Sequence, residues 1–341
     1  MPIQYSNITD EHLAVRQKCG VFDVSHMGEV TVRGKDAERY VQHIFTNGVA
    51  GAPVGKIFYG MMCYEDGGTV DDLLVYKMAA GTDGQDGGSF FLVINAANID
   101  TDWAWMQQQA EGFDIDLRNV SEDYGQLAVQ GPKSEQVVEE VLALPCRELE
   151  FYTVKTIGDV IISRTGYTGE DGFEIYASPA FINECWDKLI SSGRCIPCGL
   201  GCRDTLRFEV GLPLYGDELS ADITPVMAGL GMFVKLDKQE FVGKDALARQ
   251  KAEGVARKLV GIELADKAIP RHGYTVLSKD GQPIGEVTTG YHTISTDKSV
   301  CMALIDSQYA KLGTELNIQI RKKVFPGTVC KKQFYTKSYK K

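Results

Sequence analysis

Two adjacent aspartates, Asp71 and Asp72, stand within a run that otherwise has the composition of a β-strand, residues 69–79. Alternation along a strand places the two side chains on opposite faces, among mostly apolar neighbours on both. Because both faces are mostly apolar, we expect at least one carboxylate to point into an interior or a cleft. An unpaired charge is costly to bury, so its presence there favours a chemical role. The alternative is that Gly67 and Gly68 form a turn at the start of the strand and leave both acids in water.

A second acidic group lies between Tyr167 and Glu174, where Glu170, Asp171 and Glu174 are interleaved with two glycines. Carboxylates this close repel one another unless they are solvated, paired, or bound to a cation or a hydrogen-bond donor. The spacing does not match the twelve-residue calcium loop of the EF-hand. A ligand site and a solvated hairpin turn are therefore the alternatives for this segment.

Three cysteines, Cys195, Cys198 and Cys202, have the spacing of a metal knuckle. Tetrahedral zinc needs four ligands, and an iron–sulfur cluster usually needs four cysteines, but no second pair follows at a suitable distance. The five histidines are scattered and form no cluster. We therefore predict that the chain has no metal site and that these thiols are buried or free.

The composition limits the classes of function. The chain has 341 residues, 44% of them hydrophobic and 24% charged, which is typical of a folded protein of two or three domains. A net charge of −10 argues against nonspecific duplex binding, which requires clustered basic residues. Nine cysteines without disulfide-like spacing favour a reducing compartment, the cytoplasm. With no signal peptide or apolar run of membrane-spanning length, we predict neither nucleic acid nor a membrane as a partner.

The elements that must position these residues alternate between helix and strand. Ser178 and Pro179 form a cap and first turn of a helix that Gly193 ends, and Thr9 is predicted to cap a helix that ends at Gly20. Strand-like runs with short connections lie between the helices and predict an α+β fold with mainly antiparallel sheets. After about residue 255 helical periodicity disappears, which predicts a small all-β barrel or sandwich.

A series of motifs over nearly the whole chain resembles one family, the aminomethyltransferases or T-proteins of the glycine cleavage system. In order along the chain they are FDVSHMG at 22–28, GGTVDDL at 67–73, VINAAN at 93–98, VQGP at 129–132, SRTGYTGEDGFE at 163–174, CGLGCRDTLR at 198–207, LYG at 214–216, FVGK at 241–244 and GEVTTG at 285–290.

The resemblance implies a three-lobed α+β fold with antiparallel sheets around a channel that holds tetrahydrofolate. Residues 1–30 with 118–225 would form the first folate-binding lobe, 31–117 the second, and 226–341 the C-terminal lobe with a β-barrel from about residue 256. The implied reaction moves an aminomethyl carbon from the lipoyl arm of the H-protein to tetrahydrofolate. Its products are 5,10-methylenetetrahydrofolate, ammonia and dihydrolipoyl H-protein.

Seven residues match positions of the family's tetrahydrofolate site. Glu174 matches the acid that accepts the N–H donors on the pterin edge, and Arg203 matches an arginine of the same site. Asp72 matches the acid nearest the reacting N5 and is the implied catalytic residue, whereas Asp71→Asn should be milder. The remaining matches are walls or polar positions of the channel: Met27, Tyr59, Asn95 and Tyr167.

Two features depart from the family pattern. The family has a segment with a Phe-x-Gly-Trp motif before the equivalent of Met1, and its absence here is expected to weaken the first lobe without abolishing folate binding. The run Thr289–His292 differs from the usual Ser-Gly and Ser-Pro pattern and is expected to alter a channel wall. A mitochondrial matrix location applies if the start is truncated. The alternative functions are a related tetrahydrofolate-dependent demethylase and a folate-binding protein without turnover.

Overall fold

A computed structural model of the chain describes residues 1–79, 87–337 and 339. These residues include seven α-helices: α1 (Ile8–Gln17), α2 (Ala37–Ile44), α3 (Ile99–Gln109), α4 (Ser134–Leu142), α5 (Pro179–Ser191), α6 (Leu200–Glu209) and α7 (Lys244–Glu253).

A six-stranded sheet combines strands from residues 1–30 and 118–225, the two segments predicted to form the first lobe. Its strands, in spatial order β11-β1-β7-β10-β9-β8, are antiparallel except for the pair β1 and β11. Helices α4 and α5 cover one face through an apolar cluster that includes Leu127, Phe173 and Leu189. The strands are β1 (Gly20–Asp23), β7 (Gly125–Gln130), β8 (Val154–Ile157), β9 (Val160–Ser163), β10 (Gly172–Ala177) and β11 (Ile196–Pro197).

A five-stranded antiparallel sheet forms the second layered unit. Its spatial order is β3-β4-β5-β2-β6, and its apolar face packs against α2 and α3 through residues that include Tyr40, Phe90 and Met106. The strands are β2 (Gly28–Arg33), β3 (Ile57–Cys63), β4 (Thr69–Ala79), β5 (Ser89–Ile94) and β6 (Asp116–Asn119).

The two sheets meet through aromatic and polar contacts. The Tyr76 hydroxyl of β4 lies 2.8 Å from the Tyr176 hydroxyl of β10, and Phe91 of β5 contacts both rings edge-on. The Ile57 amide at the start of β3 donates to the Tyr152 carbonyl at 3.0 Å. These contacts fix the two sheets against each other through β3, β4 and β5 of one sheet and β10 of the other.

A closed six-stranded barrel follows α7, and its strand order is β12-β15-β14-β13-β16-β17. All neighbouring strands are antiparallel, and the interior is filled by side chains such as Ile262, Val287 and Ile305. The strands are β12 (Arg257–Leu264), β13 (Thr275–Leu277), β14 (Pro283–His292), β15 (Ser299–Asp306), β16 (Glu315–Ile320) and β17 (Lys323–Cys330). The predicted α+β fold with a C-terminal all-β barrel is confirmed.

The helix caps were predicted with mixed success. Ser178 caps α5 as predicted, because its side chain accepts the Phe181 amide at 3.4 Å. The prediction that Thr9 caps α1 is wrong: Asn7 is the cap, and its side chain accepts the Asp10 amide at 2.9 Å. Both Asn and Thr are good capping residues, so local sequence did not discriminate between them.

The proposed lobe boundaries fall inside strands. Residue 30 lies within β2 and the 117/118 boundary lies within β6, and both strands belong to the five-stranded sheet. Sheet membership therefore favours a second lobe from about Gly28 to Asn119. The division of the chain into three lobes stays a prediction.

Candidate functional site

Strand β4 buries Asp71 completely and Asp72 in part, the acidic pair that the sequence singles out. Asp71 has no exposed surface and Asp72 is partly buried, so the alternative of a wet turn is wrong. Gly67 has a φ of +89°, and a Cβ atom on Gly68 would lie 1.9 Å from the carbonyl oxygen of Ala221. The two glycines allow the chain just before β4 to pack closely against Ala221, and they do not leave Asp71 and Asp72 in solvent.

Asp72 is held by Tyr59 of β3 and by Asn95, the residue after β5. The Tyr59 hydroxyl of β3 donates to Asp72 Oδ2 at 2.8 Å, and Asn95 Nδ2, just after β5, donates to Asp72 Oδ1 at 3.0 Å. Burial raises the pKa of Asp72 to about 7, the charge of Asp71 adds to the effect, and the bonds from Tyr59 and Asn95 oppose it. An acid with this pKa can both accept and release a proton near neutral pH.

The acidic segment before β10 is buried, which makes the solvated-hairpin alternative wrong. Glu170 pairs with Arg16 at 3.1 Å, and Asp171 pairs with Arg164 at 2.6 Å. Glu174 is also buried but forms no ion pair within the described part of the chain.

Neutral groups hold the Glu174 carboxylate. Gln126 Nε2 donates to Oε1 at 3.0 Å and the Thr165 hydroxyl donates to Oε2 at 2.5 Å. Burial raises the pKa of Glu174, whereas the bond from Thr165 and the charge of Arg203 lower it. Each carboxylate oxygen retains a further lone pair, so Glu174 can accept additional donors from a ligand.

Arg203 is the cationic member of the site. Its guanidinium lies over the ring of Tyr167, 4.7 Å from the ring centroid, and it forms no ion pair among residues 1–79, 87–337 and 339. Burial lowers the pKa of Arg203, and the nearby Tyr167 and Glu174 oppose this. The Tyr167 hydroxyl donates to the Pro213 carbonyl, which fixes the ring beneath the guanidinium.

Helix α6 positions Arg203. At the helix start the amides of Leu200 and Gly201 donate to the carbonyls of Pro2 and Ile3, both at 2.9 Å. One turn beyond Arg203, the fully buried Arg207 pairs with Glu218 at 2.7 Å.

The run Thr289–His292 lies against this part of α6. The Thr289 hydroxyl donates to Glu218 at 2.7 Å, and the Tyr291 hydroxyl donates to Asp204 of α6. The departure from the family pattern therefore lies where the barrel contacts the helix that carries Arg203. Whether it alters a channel wall stays a prediction.

The predicted residues form two groups, and the members of each group contact one another. Tyr59, Asp72 and Asn95 form one, and Tyr167 and Arg203 form the other, with Glu174 electrostatically close to Arg203. The charge of Asp72 also acts on Tyr167, whose pKa burial raises.

Met27 lies where the core beneath α6 meets the core between the two sheets. It packs partly buried against both apolar clusters, which include Leu206 and Val93. All seven predicted residues thus converge on one region, although their roles stay proposals.

Sequence reasoning missed several polar residues of this region. Gln126 and Thr165 donate hydrogen bonds to Glu174. Tyr152 lies close enough to Asp72 and Glu174 for both charges to raise its pKa, although burial is the main cause of the shift. Asp102 of α3 is fully buried near the aspartate pair. Their positions depend on packing between distant segments, so no local signal marked them.

The cysteine group remains a poor candidate for a metal site. Cys195, Cys198 and Cys202 are buried, and Cys195 Sγ lies 3.3 Å from Cys19 Sγ. The Cys19 thiol and burial raise the pKa of Cys195, which disfavours the thiolate that a metal requires. No group of three or more potential ligands was found among the described residues, and the absence of a metal stays a prediction.

Two open clefts of about 480 and 640 Å³ lie on the barrel and contain none of the predicted residues. Within the described ranges, no helix has the length and apolar character needed to cross a membrane.

Comparison with known proteins decides the family. The family model described as the GCVT N-terminal domain matches residues 1–238, and the glycine cleavage T-protein C-terminal barrel domain matches residues 257–336. The chain belongs to the glycine cleavage T-protein family.

Individual relatives support this membership over the full length. The aminomethyltransferases of Alkaliphilus oremlandii and Thermoanaerobacter pseudethanolicus are 50% and 48% identical to the chain, with all of it and 93% of each of them aligned. The crystal structure of glycine cleavage system aminomethyltransferase T from Bartonella henselae matches with a TM-score of 0.94 at 32% identity. That match covers all of this chain and 93% of the other.

The chain is therefore an enzyme, an aminomethyltransferase of the glycine cleavage system. Transfer of the aminomethyl carbon to tetrahydrofolate is the reaction of this family, and tetrahydrofolate is its substrate. The predicted family, fold and enzyme class are confirmed.

Proposed function

We propose that the region bounded by β4, β10 and α6 binds tetrahydrofolate and that Asp72 is its catalytic residue. The observation that carries the proposal is the contrast among four acids of this region, three of them buried and Asp72 partly buried. Glu170 and Asp171 have arginine partners, whereas Glu174 and Asp72 have only neutral donors among the described residues. Unpaired buried carboxylates are costly and are best explained by a ligand that supplies donors or positive charge.

Glu174 and Arg203 would hold the pterin. The pyrimidine edge of a reduced pterin presents a row of N–H donors, which suits the free lone pairs of the Glu174 carboxylate. The Arg203 guanidinium has donors for the ring oxygen or nitrogen. The faces of Tyr59 and Tyr167, together with Met27, provide flat and apolar walls for the heterocycle.

Asp72 would act at N5 of tetrahydrofolate. In the transfer, the carbon forms bonds to N5 and N10, and its bonds to the lipoyl sulfur and to nitrogen break. The protons that leave N5 and N10 end on the thiol and on ammonia. A carboxylate beside N5 can orient the folate, stabilise positive charge on nitrogen and accept its proton, and the pKa of about 7 suits that proton transfer.

The lipoylated H-protein is the proposed donor of the aminomethyl group, since the chain belongs to the T-protein family. A reducing, cytoplasmic location is proposed as well, because all nine cysteines are free thiols. Holding two large reactants in line would supply much of the rate enhancement.

Asp72→Asn tests the proposal because it removes the charge and keeps the size of the side chain. We expect ammonia release from aminomethyl-loaded H-protein with tetrahydrofolate to fall about 100-fold or more, the usual range for a lost acid–base group. Tetrahydrofolate affinity should change less, because Glu174 and Arg203 remain. The matched control is Asp116→Asn, at a half-exposed aspartate in the same sheet.

A fully active Asp72→Asn protein would contradict the catalytic assignment. Tetrahydrofolate binding by the wild-type protein without any ammonia release would instead favour the binding protein without turnover. Demethylation of an N-methyl substrate in place of aminomethyl transfer would favour the related demethylase.

A further inference from the structure

Two buried carboxyl groups beside Asp72 are not explained by the proposed reaction. Asp71 of β4 and Asp102 of α3 both have no exposed surface. The two residues are 31 positions apart in the sequence. Buried acids normally have a compensating cation, and neither residue has an ion pair in the described part of the chain.

Asp71 is bound by three N–H donors from the segment after β5. The Asn95 amide donates to Oδ2 at 3.0 Å, Asn95 Nδ2 donates to Oδ1 at 2.8 Å, and Asn98 Nδ2 donates to Oδ1 at 2.9 Å. The same Asn95 Nδ2 group also donates to Asp72 Oδ1 at 3.0 Å. One side-chain amide therefore joins the two carboxylates, although alternation along β4 separates them.

Asp102 interacts with Asp71 through its side chain. Neither of its carboxyl oxygens accepts a bond from an N–H or hydroxyl group among the described residues. Burial raises the pKa of Asp102 to about 11, and the charge of Asp71 contributes to this shift. The Asp102 carboxyl is therefore protonated at neutral pH and has an O–H to donate to the Asp71 carboxylate.

We propose that Asp71 and Asp102 are positioning residues for the transfer. The carboxyl O–H of Asp102 donates a hydrogen bond to Asp71, and Asp71 holds the Asn95 amide against Asp72. The inference rests on the proposed role of Asp72 and adds a row of residues, Asp102–Asp71–Asn95–Asp72, that sets its orientation and charge. A protonated Asp102 can hold the Asp71 carboxylate in place without adding a further negative charge beside Asp72.

Asp71 also affects the protonation of Asp72. Burial is the main cause of the raised pKa of Asp72, and the charge of Asp71 is the second. The other titratable groups that act on this region are tyrosines and Asp102: Tyr59, Tyr152, Tyr167, Tyr215 and Asp102. Burial raises the pKa of each tyrosine further above its ordinary value of 10 and that of Asp102 to about 11, so their protonation does not change near the pKa of Asp72.

Asp71→Asn tests the link to Asp72 through the pH profile. We expect kcat for aminomethyl transfer to fall about tenfold, as for loss of a hydrogen bond to a charged group. The acid limb of the kcat profile should move to lower pH, because the charge that helps to raise the pKa of Asp72 is gone. KM for tetrahydrofolate should change little, and Asp116→Asn should leave kcat and the profile unchanged.

Substitutions at Asp102 test the donated proton and remain informative if Asp71→Asn does not fold. Asp102→Asn keeps a donor toward Asp71, whereas Asp102→Leu has similar volume and no donor. We expect Asp102→Leu to lower kcat about tenfold and Asp102→Asn to lose clearly less. Thermal melts of both proteins separate loss of kcat from loss of fold.

The outcomes distinguish the inference from the proposed function. If Asp72→Asn is inactive but Asp71→Asn keeps the wild-type kcat and acid limb, the positioning role is wrong and the catalytic assignment stands. Equal kcat for Asp102→Leu and Asp102→Asn would overturn the hydrogen bond from Asp102 to Asp71. A fully active Asp72→Asn protein would overturn the catalytic assignment of Asp72 itself, on which the inference rests.

Discussion

Glu170, Asp171 and Glu174 are the same kind of group within five residues, yet their surroundings differ. Arginines neutralise the first two, and two neutral donors hold the third. Glycines make this packing possible: a Cβ atom on Gly172 would lie 2.4 Å from the Gln130 side chain. At the residue scale, the partner of each acid decides whether it stabilises the fold or remains available to a ligand.

Glu174→Gln is expected to weaken tetrahydrofolate binding more than it slows the transfer. The amide keeps the size of the side chain but replaces an acceptor oxygen with a donor, which opposes the N–H groups of the pterin edge. We expect Kd for tetrahydrofolate to rise about tenfold or more, as for a lost charge-assisted bond. Titration calorimetry measures this, with the exposed Glu148→Gln as the control.

An unchanged Kd for Glu174→Gln, with a normal melting temperature, would rule out Glu174 as the pterin acid. A large loss of kcat at constant Kd would instead assign Glu174 to the chemistry.

Helix α6 is the element on which the cationic half of the site depends, and the C-terminal segment secures its end. The amides of Phe334 and Tyr335 donate to the Glu209 carbonyl at 2.8 and 2.7 Å. Phe334 packs on Phe208 of α6 with ring centroids 5.1 Å apart, and Arg16 of α1 lies over the Tyr335 ring. The segment therefore ties the barrel to α1 and α6.

A chain that ends after Lys332 should be less stable and should bind tetrahydrofolate more weakly. It loses the bonds to Glu209 and the two aromatic contacts, which together contribute about 3 kcal/mol. We expect the melting temperature to fall by about 5 °C or more. A chain that ends after Lys337 keeps these contacts and is the matched control.

Equal melting temperatures for the two shortened chains would show that Phe334 and Tyr335 do not secure α6. In that case the weaker binding would not be expected either.

At the scale of the whole molecule, buried acids make stability depend on pH. Glu29 of β2 is fully buried, and neither carboxylate oxygen has a hydrogen-bond partner among the described residues. Burial raises the pKa of Glu29 to about 8, above its value of about 4.5 in the unfolded chain. Between these values the folded protein keeps a proton that the unfolded chain releases, so the free energy of unfolding falls as pH rises.

Glu29→Gln should remove this part of the pH dependence. We expect the variant and the wild type to differ little at pH 4.5, whereas the variant should melt about 3 °C higher at pH 8.5. Differential scanning calorimetry across this range measures the effect, and the exposed Glu122→Gln is the control. A difference in melting temperature that is the same at both pH values would contradict the assignment of the titration to Glu29.

The sequence alone determined the features that depend on local pattern. Strand-like composition predicted the bounds of β4, and a capping serine with a proline predicted the start of α5. The loss of helical periodicity predicted an all-β unit, a barrel or a sandwich, and the structure shows the barrel. Strands and helix starts depend mainly on residues within a few positions of one another, so a single chain contains most of the information, although it did not distinguish Asn7 from Thr9 as the cap of α1. The motifs likewise carried the family, because their residue types and order can be read without a fold.

Only the tertiary structure decided which of these residues meet. Asn95 reaches both Asp71 and Asp72, and Arg16 neutralises Glu170 from 154 positions away. Whether a carboxylate is paired, solvated or left for a ligand depends on such distant partners and on the water that packing excludes. The charge state of a site is therefore a property of the folded chain, since burial and neighbouring charges set each pKa only once the sheets and α6 have packed together.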